Sequence, residues 1–541
     1  MDGLMMDFQL TLDAVLRRAE QHFFKKEIVT RLPDRSFHRY TYGDMARRAK
    51  KLALALQRLG IQPGDAVGTL CWSHYQHLEA YFGIPIMGSV LHTLNLRLHA
   101  DDLVYIANDA DDKAIIFDES LLPVLERIKD KIDAKHFIVI SGGGETPEGM
   151  LDYETLLAAE DDADFDYNTL NLRENTAAAM CYTSGTTGKP KGVLYSHRSM
   201  VLHSLAAALP DVLDIRESDC ILPVVPMFHA NSWGIPYAAA MVGPKLVFPG
   251  PFLDPASLLE AFEQEGVTVT AGVPTIWQGL LQALDADPKK YDLSKLRNLI
   301  VGGSAVPISM LKNFQEKHGL HITQAWGMTE TSPLGSVSVL NAELKGLSAD
   351  EQYEYRAMQG TPIPLVEIRA RGDEGLVPWD GQAMGELEVR GPWVSSAYYN
   401  RPDASDRFTD DGWFKTGDIV TIDEIGYIKI QDRSKDLVKS GGEWISSVDL
   451  ENAIMGHPAV AEAAVIAIPH PKWDERPLAA VVLKEGQSAT EDEIKQYLVD
   501  KVAKWWIPDA IEFIDEVPKT SVGKFKKTEL REMFKDYTFA K

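Results

Sequence analysis

Between the apolar runs Ala177–Met180 and Val193–Tyr195 stands TSGTTGKPKG, residues 183–192, which gathers four hydroxyls, three glycines and two lysines. Glycines let backbone amides come close to a ligand, and hydroxyls and lysines add donors and positive charge, which is what a polyphosphate needs. This is not a Walker loop. That pattern needs Gly at position 183 and a hydroxyl residue after Lys189, where the chain has Thr183 and Pro190. A Gly/Ser/Thr-rich stretch also suits a mobile surface connection, and from the loop alone both readings stand. Two neighbouring patterns fail. Gly302-Gly303-Ser304-Ala305-Val306 lacks the last glycine of a hydrolase nucleophile elbow, and no Gly-x-Gly-x-x-Gly follows a strand-like run, so serine hydrolase and dinucleotide oxidoreductase both recede.

The elements that must position such a loop are legible from periodicity. Thr41 and Asp44 open a stretch with apolar residues at Met45, Ala49, Leu52, Leu56 and Leu59, an amphipathic helix that stops at Gly60. Apolar runs at Ala66–Leu70, Lys113–Phe117, His136–Ile140, Thr268–Gly272 and Asn298–Val301 are separated by helical-length segments, Ser73–Met87 among them, which predicts α/β layers with mostly parallel strands. After about residue 385 the pattern changes to the short strands Glu386–Arg390, Ile419–Ile422 and Tyr427–Ile430, the last two joined by a turn at Asp423–Gly426. Beyond Asp432 a small α+β unit is predicted: helix Ser447–Met455, strands Val460–Ile468 and Ala479–Leu483, helix Glu491–Lys504 and strand Ala510–Ile514. The boundary falls in the charged run Asp432–Asp436, which reads as an exposed linker.

At 541 residues the chain needs more than one core, and 45% hydrophobic with 25% charged residues is an ordinary globular composition. A formal charge of −24 repels a phosphate backbone and an anionic bilayer, so nucleic acid is not an expected partner. Cys71, Cys181 and Cys220 are too widely spaced for a disulfide framework or a paired zinc site and fit a reducing cytoplasm. The N-terminus carries Asp2, Asp7 and Asp13 before any signal-length apolar run, and Ile221–Phe252 is broken by His229, Asn231 and prolines, so no integral membrane segment is expected.

The loop at 183–192, Trp326-Gly327-Met328-Thr329-Glu330, Thr416-Gly417-Asp418, DRSKDLVKSGGEWISS from Asp432 to Ser447, and Pro518–Lys524 occur in the order seen in acyl-adenylate-forming enzymes. The chain resembles the acyl-CoA synthetase branch of that superfamily, and within it the bacterial medium- and long-chain fatty acid CoA ligases. The resemblance implies a large adenylation domain over 1–432, with layered α/β sheets and a β subdomain, and a small mobile C-terminal α+β domain over 433–541. It also implies ATP, Mg²⁺ and coenzyme A as cofactors, a carboxylic acid, most simply a fatty acid, as substrate, and a homodimer.

Residue by residue, the resemblance places the phosphates on Thr183, Ser184, Gly185, Thr186, Thr187, Gly188 and Lys191. Glu330 and Thr186 would hold Mg²⁺, in keeping with a hard cation's preference for oxygen. Adenine would lie beside Gly302, Gly303 and Ser304 and against Trp326, within a wall continued by Gly327, Met328 and Thr329. The family more often has Tyr at Trp326, so the ring can still stack but offers no hydroxyl. Asp418, reinforced by Arg433, would take the ribose hydroxyls. Lys524, in a Thr-x-x-Gly-Lys loop, would bridge the acyl carboxylate and α-phosphate as charge reorganises. The small domain would then turn about Lys435, and Gly441 and Gly442 would open the pantetheine path, with Lys439 and Trp444 counted beside them.

In Pro226–Trp233 the position after Phe228, where amino-acid-activating relatives carry Asp, is His229, so a plain carboxylic acid is favoured; His229 is also counted as catalytic. Ala230 and Trp233 would line the acyl entrance, Trp233 as its gate. Two alternatives stand beside the fatty acid ligase: a ligase for a short acid such as 3-methylthiopropionate, and, in another class, a non-catalytic acyl-adenylate-binding or fatty-acid uptake protein.

Overall fold

The structure, a computed structural model, describes residues 1, 3–168, 171–183, 189–440, 443–499, 501–520 and 524–539. Its α/β layering follows from buried, continuously apolar strands. Ala66–Leu70 and Asn298–Val301 are buried at every position, as parallel strands covered on both faces must be. Ala66–Leu70 sits inside a sheet ordered Leu151–Asp152, His136–Ile140, Asp112–Asp118, Ala66–Leu70, Val90–Thr93, Ala177–Tyr182, Gly192–Ser196, parallel except for its last pair. Asn298–Val301 sits inside a second sheet that is parallel from Glu27–Arg31 through Ile322–Gly327 and antiparallel at both edges.

The helix that covers this core is the one its cap announces. Tyr42–Arg58 starts on Thr41, whose side chain accepts from the Asp44 amide while the Asp44 carboxylate accepts from the Thr41 amide. Its face packs on Tyr75–Ile86.

A third, antiparallel sheet holds Glu367–Gly372, Gly385–Arg390, Phe414–Ile422 and Ile428–Arg433. A fourth joins Val438–Ser440, Glu443–Ile445, Val460–His470, Asp474–Leu483 and Ala510–Phe513. Two expectations fail here. The helix from Glu491 ends at Leu498 rather than Lys504: the Lys501 and Val502 amides both return to the Leu498 carbonyl, at 2.9 and 3.1 Å, and Ala503 turns out of the helical region at ψ 138°. The charged run is no bare linker either. Asp432 and Asp436 are buried, the first accepting from the Ser447 amide at 2.8 Å and the second bonded to Arg531.

Candidate active site

One cavity of about 830 Å³ opens where the strand ends of the second sheet, the antiparallel sheet and the C-terminal domain meet. Its lining gathers Thr183, Lys191, His229, Trp233, Gly302, Gly303, Ser304, Trp326, Gly327, Met328, Thr329, Glu330, Asp418, Arg433, Lys435 and Lys524, positions spread over most of the chain. Ser184, Gly185, Thr186, Thr187, Gly188, Gly441 and Gly442 lie outside the described residues. The two flanks of the 183–192 loop are tied together: the Thr183 amide donates to the Lys191 carbonyl at 3.0 Å and the Lys191 amide to Thr183 Oγ1 at 3.1 Å.

Strand pairing sets one wall. Asp418 and Arg433 face each other in antiparallel register, and Arg433 Nε donates to Asp418 Oδ1 at 2.9 Å. The other carboxylate oxygen accepts from the Trp326 indole N–H at 3.0 Å. The Asp418 charge raises the pKa of Arg433, holding it as a fixed cation.

Glu330 is buried on a one-turn helix after the strand Ile322–Gly327. Tyr398 donates its hydroxyl to Glu330 Oε1 at 2.6 Å, and Lys191 Nζ lies 5.1 Å from the centre of the same phenol ring. Among the described residues Oε2 accepts no hydrogen bond, so a buried carboxylate oxygen faces the cavity as a hard donor of the kind Mg²⁺ takes. Sequence reasoning does not single out Tyr398. It lies 68 residues from Glu330 and its local setting, Tyr398-Tyr399-Asn400-Arg401-Pro402, carries no chemical signal.

Lys524 reaches this wall from the C-terminal domain. Its loop is closed by the Thr520 amide donating to the Lys524 carbonyl at 2.7 Å and the Lys524 amide to Thr520 Oγ1 at 3.1 Å. A Cβ added at Gly303 would fall 3.5 Å from Lys524 Cε. Burial lowers the ammonium pKa and Arg433 lowers it further, while Asp418 and Glu330 pull it back up. His229 is pushed down to about 3 by burial, with the Lys524 charge adding to it, so its imidazole is neutral at ordinary pH.

The segment expected to line the acyl entrance has a backbone that its sequence does not announce. Ala230, Asn231, Ser232 and Trp233 all have positive φ, 40 to 56°, a left-handed turn ending on Gly234 at 72°. Each such non-glycine residue costs roughly 1–2 kcal/mol. Buried side chains hold the turn: Cys181 Sγ donates to Asn231 Oδ1 at 2.9 Å and Ser232 Oγ to the Val225 carbonyl at 2.8 Å. The turn delivers the Trp233 indole against Gly302, where an added Cβ would meet Cη2 at 2.9 Å.

Three expected residues stand elsewhere. Ala230 does not line the cavity, because the left-handed turn packs it into the core. Lys439 and Trp444 also stand off it. They pair across the strands Val438–Ser440 and Glu443–Ile445, Lys439 Nζ lies 5.7 Å from the Trp444 ring centre, and Trp444 is 43% exposed.

The AMP-binding enzyme family matches residues 16–399, and the AMP-binding enzyme C-terminal domain matches 449–524. The chain is 50% identical to a long-chain-fatty-acid–CoA ligase of Thermus thermophilus over 98% of its own length and 97% of that protein. It is 44% identical to a 3-methylmercaptopropionyl-CoA ligase of Ruegeria lacuscaerulensis, over 99% of both chains. The solved structure of the anthranilate CoA ligase AuaEII in complex with anthranoyl-AMP superposes with a TM-score of 0.86 at 25% identity, covering 98% of this chain and 99% of that one.

Proposed function

The chain belongs to the AMP-binding enzyme family, in its acyl-CoA synthetase branch, and from that premise we propose that it activates a medium- or long-chain fatty acid with ATP and passes the acyl group to coenzyme A. The observation that carries this reading is the position of Lys524, a half-buried lysine of the small domain that lines the cavity and feels the charges of Arg433, Asp418 and Glu330 and adds its own to His229.

A carboxylate is a poor acyl electrophile, since its charge repels nucleophiles and oxide does not leave. Its oxygen attacks the α-phosphorus of ATP, the bond to the β-phosphate oxygen breaks, and pyrophosphate departs. The CoA thiol, giving up its proton, then bonds to the acyl carbon as the bond to AMP breaks. Lys191 and Lys524 supply fixed cations where negative charge moves. Neutral His229 leaves no buried anion to select an amine, which supports a plain acid. Glu330, with Thr186, would hold Mg²⁺, which when bound neutralises phosphate charge. For the thiol to enter, Lys524 must leave, and we place the hinge at Lys435, between a domain over 1–432 and one over 433–541. Lys439, Gly441, Gly442 and Trp444 then belong to the thiol half-reaction, which accounts for Lys439 and Trp444 standing outside the cavity in this orientation. Among the described residues no helix is long and apolar enough to cross a membrane. The three cysteines are buried and unpaired, which supports a reducing cytoplasm, and a homodimer is the assembly the resemblance implies.

One observation favours the second reading, a short acid such as 3-methylthiopropionate: the Trp233 indole lies against Gly302, where in this reading a long chain would have to pass. CoA-dependent pyrophosphate release over C3 to C18 acids decides between them. Highest kcat/KM at about eight carbons or more supports the fatty acid, and a maximum at C3 or C4 overturns it.

A further inference from the structure

The Asp418 carboxylate is addressed from two sides by donors of different kinds. Arg433 Nε takes Oδ1 at 2.9 Å, and the indole N–H of Trp326 takes Oδ2 at 3.0 Å. A carboxylate has about four lone-pair sites, so one acceptor site is left on each oxygen. Two adjacent acceptors held in one plane are the complement of a vicinal diol.

The indole is itself held. Trp326 is 7% exposed, and its six-membered ring lies over Gly335, where an added Cβ would fall 2.4 Å from Cζ3. Gly335 is on the strand Leu334–Val337, antiparallel to the strand of Trp326, so the sheet itself fixes the ring. The ring still lines the cavity beside Gly302, Gly303 and Ser304.

We propose that Trp326 is a positioning residue for ribose recognition, its indole N–H fixing the Asp418 carboxylate so that the two remaining acceptor sites meet the 2′- and 3′-hydroxyls of the nucleotide. The inference rests on the nucleotide reading of this cavity and adds to it a second task for the ring. A stacking surface alone needs no N–H; a phenylalanine would serve. With the N–H, base and sugar recognition are joined through one side chain, and the discrimination between a diol and a dideoxy sugar depends on a residue that touches neither hydroxyl.

The test is a cycle between protein and ligand. Binding of ATP and of 2′,3′-dideoxy-ATP is measured by calorimetry for wild type and Trp326→Phe, with circular dichroism melts to verify folding. Loss of ring area weakens both nucleotides alike. Loss of the N–H weakens only the one that uses the carboxylate, so the preference for ATP over the dideoxy compound falls by about tenfold, the size of a hydrogen bond to a charged group. Trp326→Leu, which also lacks a donor, shows the same fall in preference should the Phe protein not fold. An unchanged preference in the folded variant overturns the inference and leaves the nucleotide site standing. Wild type that binds neither nucleotide overturns both.

Discussion

The Tyr398 hydroxyl donates to Glu330 Oε1 at 2.6 Å, and so fixes which face of a buried carboxylate is left for a cation. Tyr398→Phe removes the bond and keeps the ring under Lys191. Partners of metal-ligating groups are typically worth 10–100-fold in metal affinity. The variant should therefore need about 10–100-fold more Mg²⁺ for half-maximal pyrophosphate release, with much of the rate recovered at saturation. Mn²⁺ binding followed by electron paramagnetic resonance should weaken in parallel. Unchanged metal affinity would show that the Tyr398 bond does not position the Glu330 carboxylate for a cation.

Lys524 lines the cavity from the small domain, and the role proposed for it is a positive charge that follows the transferring oxygen. Lys524→Ala should slow acyl-adenylate formation by on the order of 10² to 10³ while leaving thioester formation from supplied acyl-adenylate nearly intact. Its pKa is lowered by burial, so protonation, and with it the adenylation rate, should be lost as pH rises through a value below that of an ordinary lysine. The guanidinium of Lys524→Arg should carry that limb to higher pH. His229, near 3, cannot produce an acid limb between about pH 5 and 8, and His229→Gln should leave the profile shape there unchanged. Equal loss in both half-reactions of Lys524→Ala would show that the lysine is structural.

Much of this was legible in the chain because local rules agreed with the fold. Thr41 with Asp44 named a helix start, and uninterrupted apolar runs such as Ala66–Leu70 named buried strands. The site was legible as an order of short motifs, each ambiguous alone. The side-chain pairings within it were not. Trp326 and Asp418 are 92 residues apart on strands of two different sheets, and only the packing of those sheets brings the indole to the carboxylate. The left-handed turn at Ala230–Trp233 contains no glycine to announce it and is imposed by bonds from Cys181 and to Val225. The helix from Glu491 is shorter than its pattern suggests, since the Lys501 and Val502 amides both close on the Leu498 carbonyl and the chain leaves the helix there.

Lys435 lies in a turn after the strand Ile428–Arg433, where the amides of Asp436 and Leu437 both return to the Arg433 carbonyl at 2.8 and 3.1 Å. Its own carbonyl accepts from Arg531. Restricting φ to near −65° with Lys435→Pro should trap one domain orientation. Because this structure already places Lys524 in the cavity, adenylation should persist and the CoA step fail. Single-turnover assays of each half-reaction separate the two, and a Lys435→Pro protein with normal overall turnover would move the hinge elsewhere.

The proposed acyl entrance gives the last test, since the Trp233 indole lies against Gly302. An alanine at Gly302 would press its Cβ to 2.9 Å from Trp233 Cη2 and 3.1 Å from the Ala325 carbonyl, and the carbonyl cannot yield, so the indole must move. Trp233→Ala removes the ring outright. Each buried methylene contributes about 0.8 kcal/mol, close to fourfold in affinity per carbon, so an enzyme with a closed apolar channel should show a steep rise in kcat/KM with chain length until the channel ends. Without the indole the rise should flatten and bulkier acids should be accepted, because the apolar surface and the barrier are the same ring. Gly302→Ala should lower kcat/KM across the series, its displaced indole obstructing the entrance while the channel beyond keeps its slope. If wild type prefers C3 or C4 acids and Trp233→Ala leaves the C4 to C16 profile unchanged, the ring is packing rather than a gate, and the short-acid reading replaces the fatty acid one.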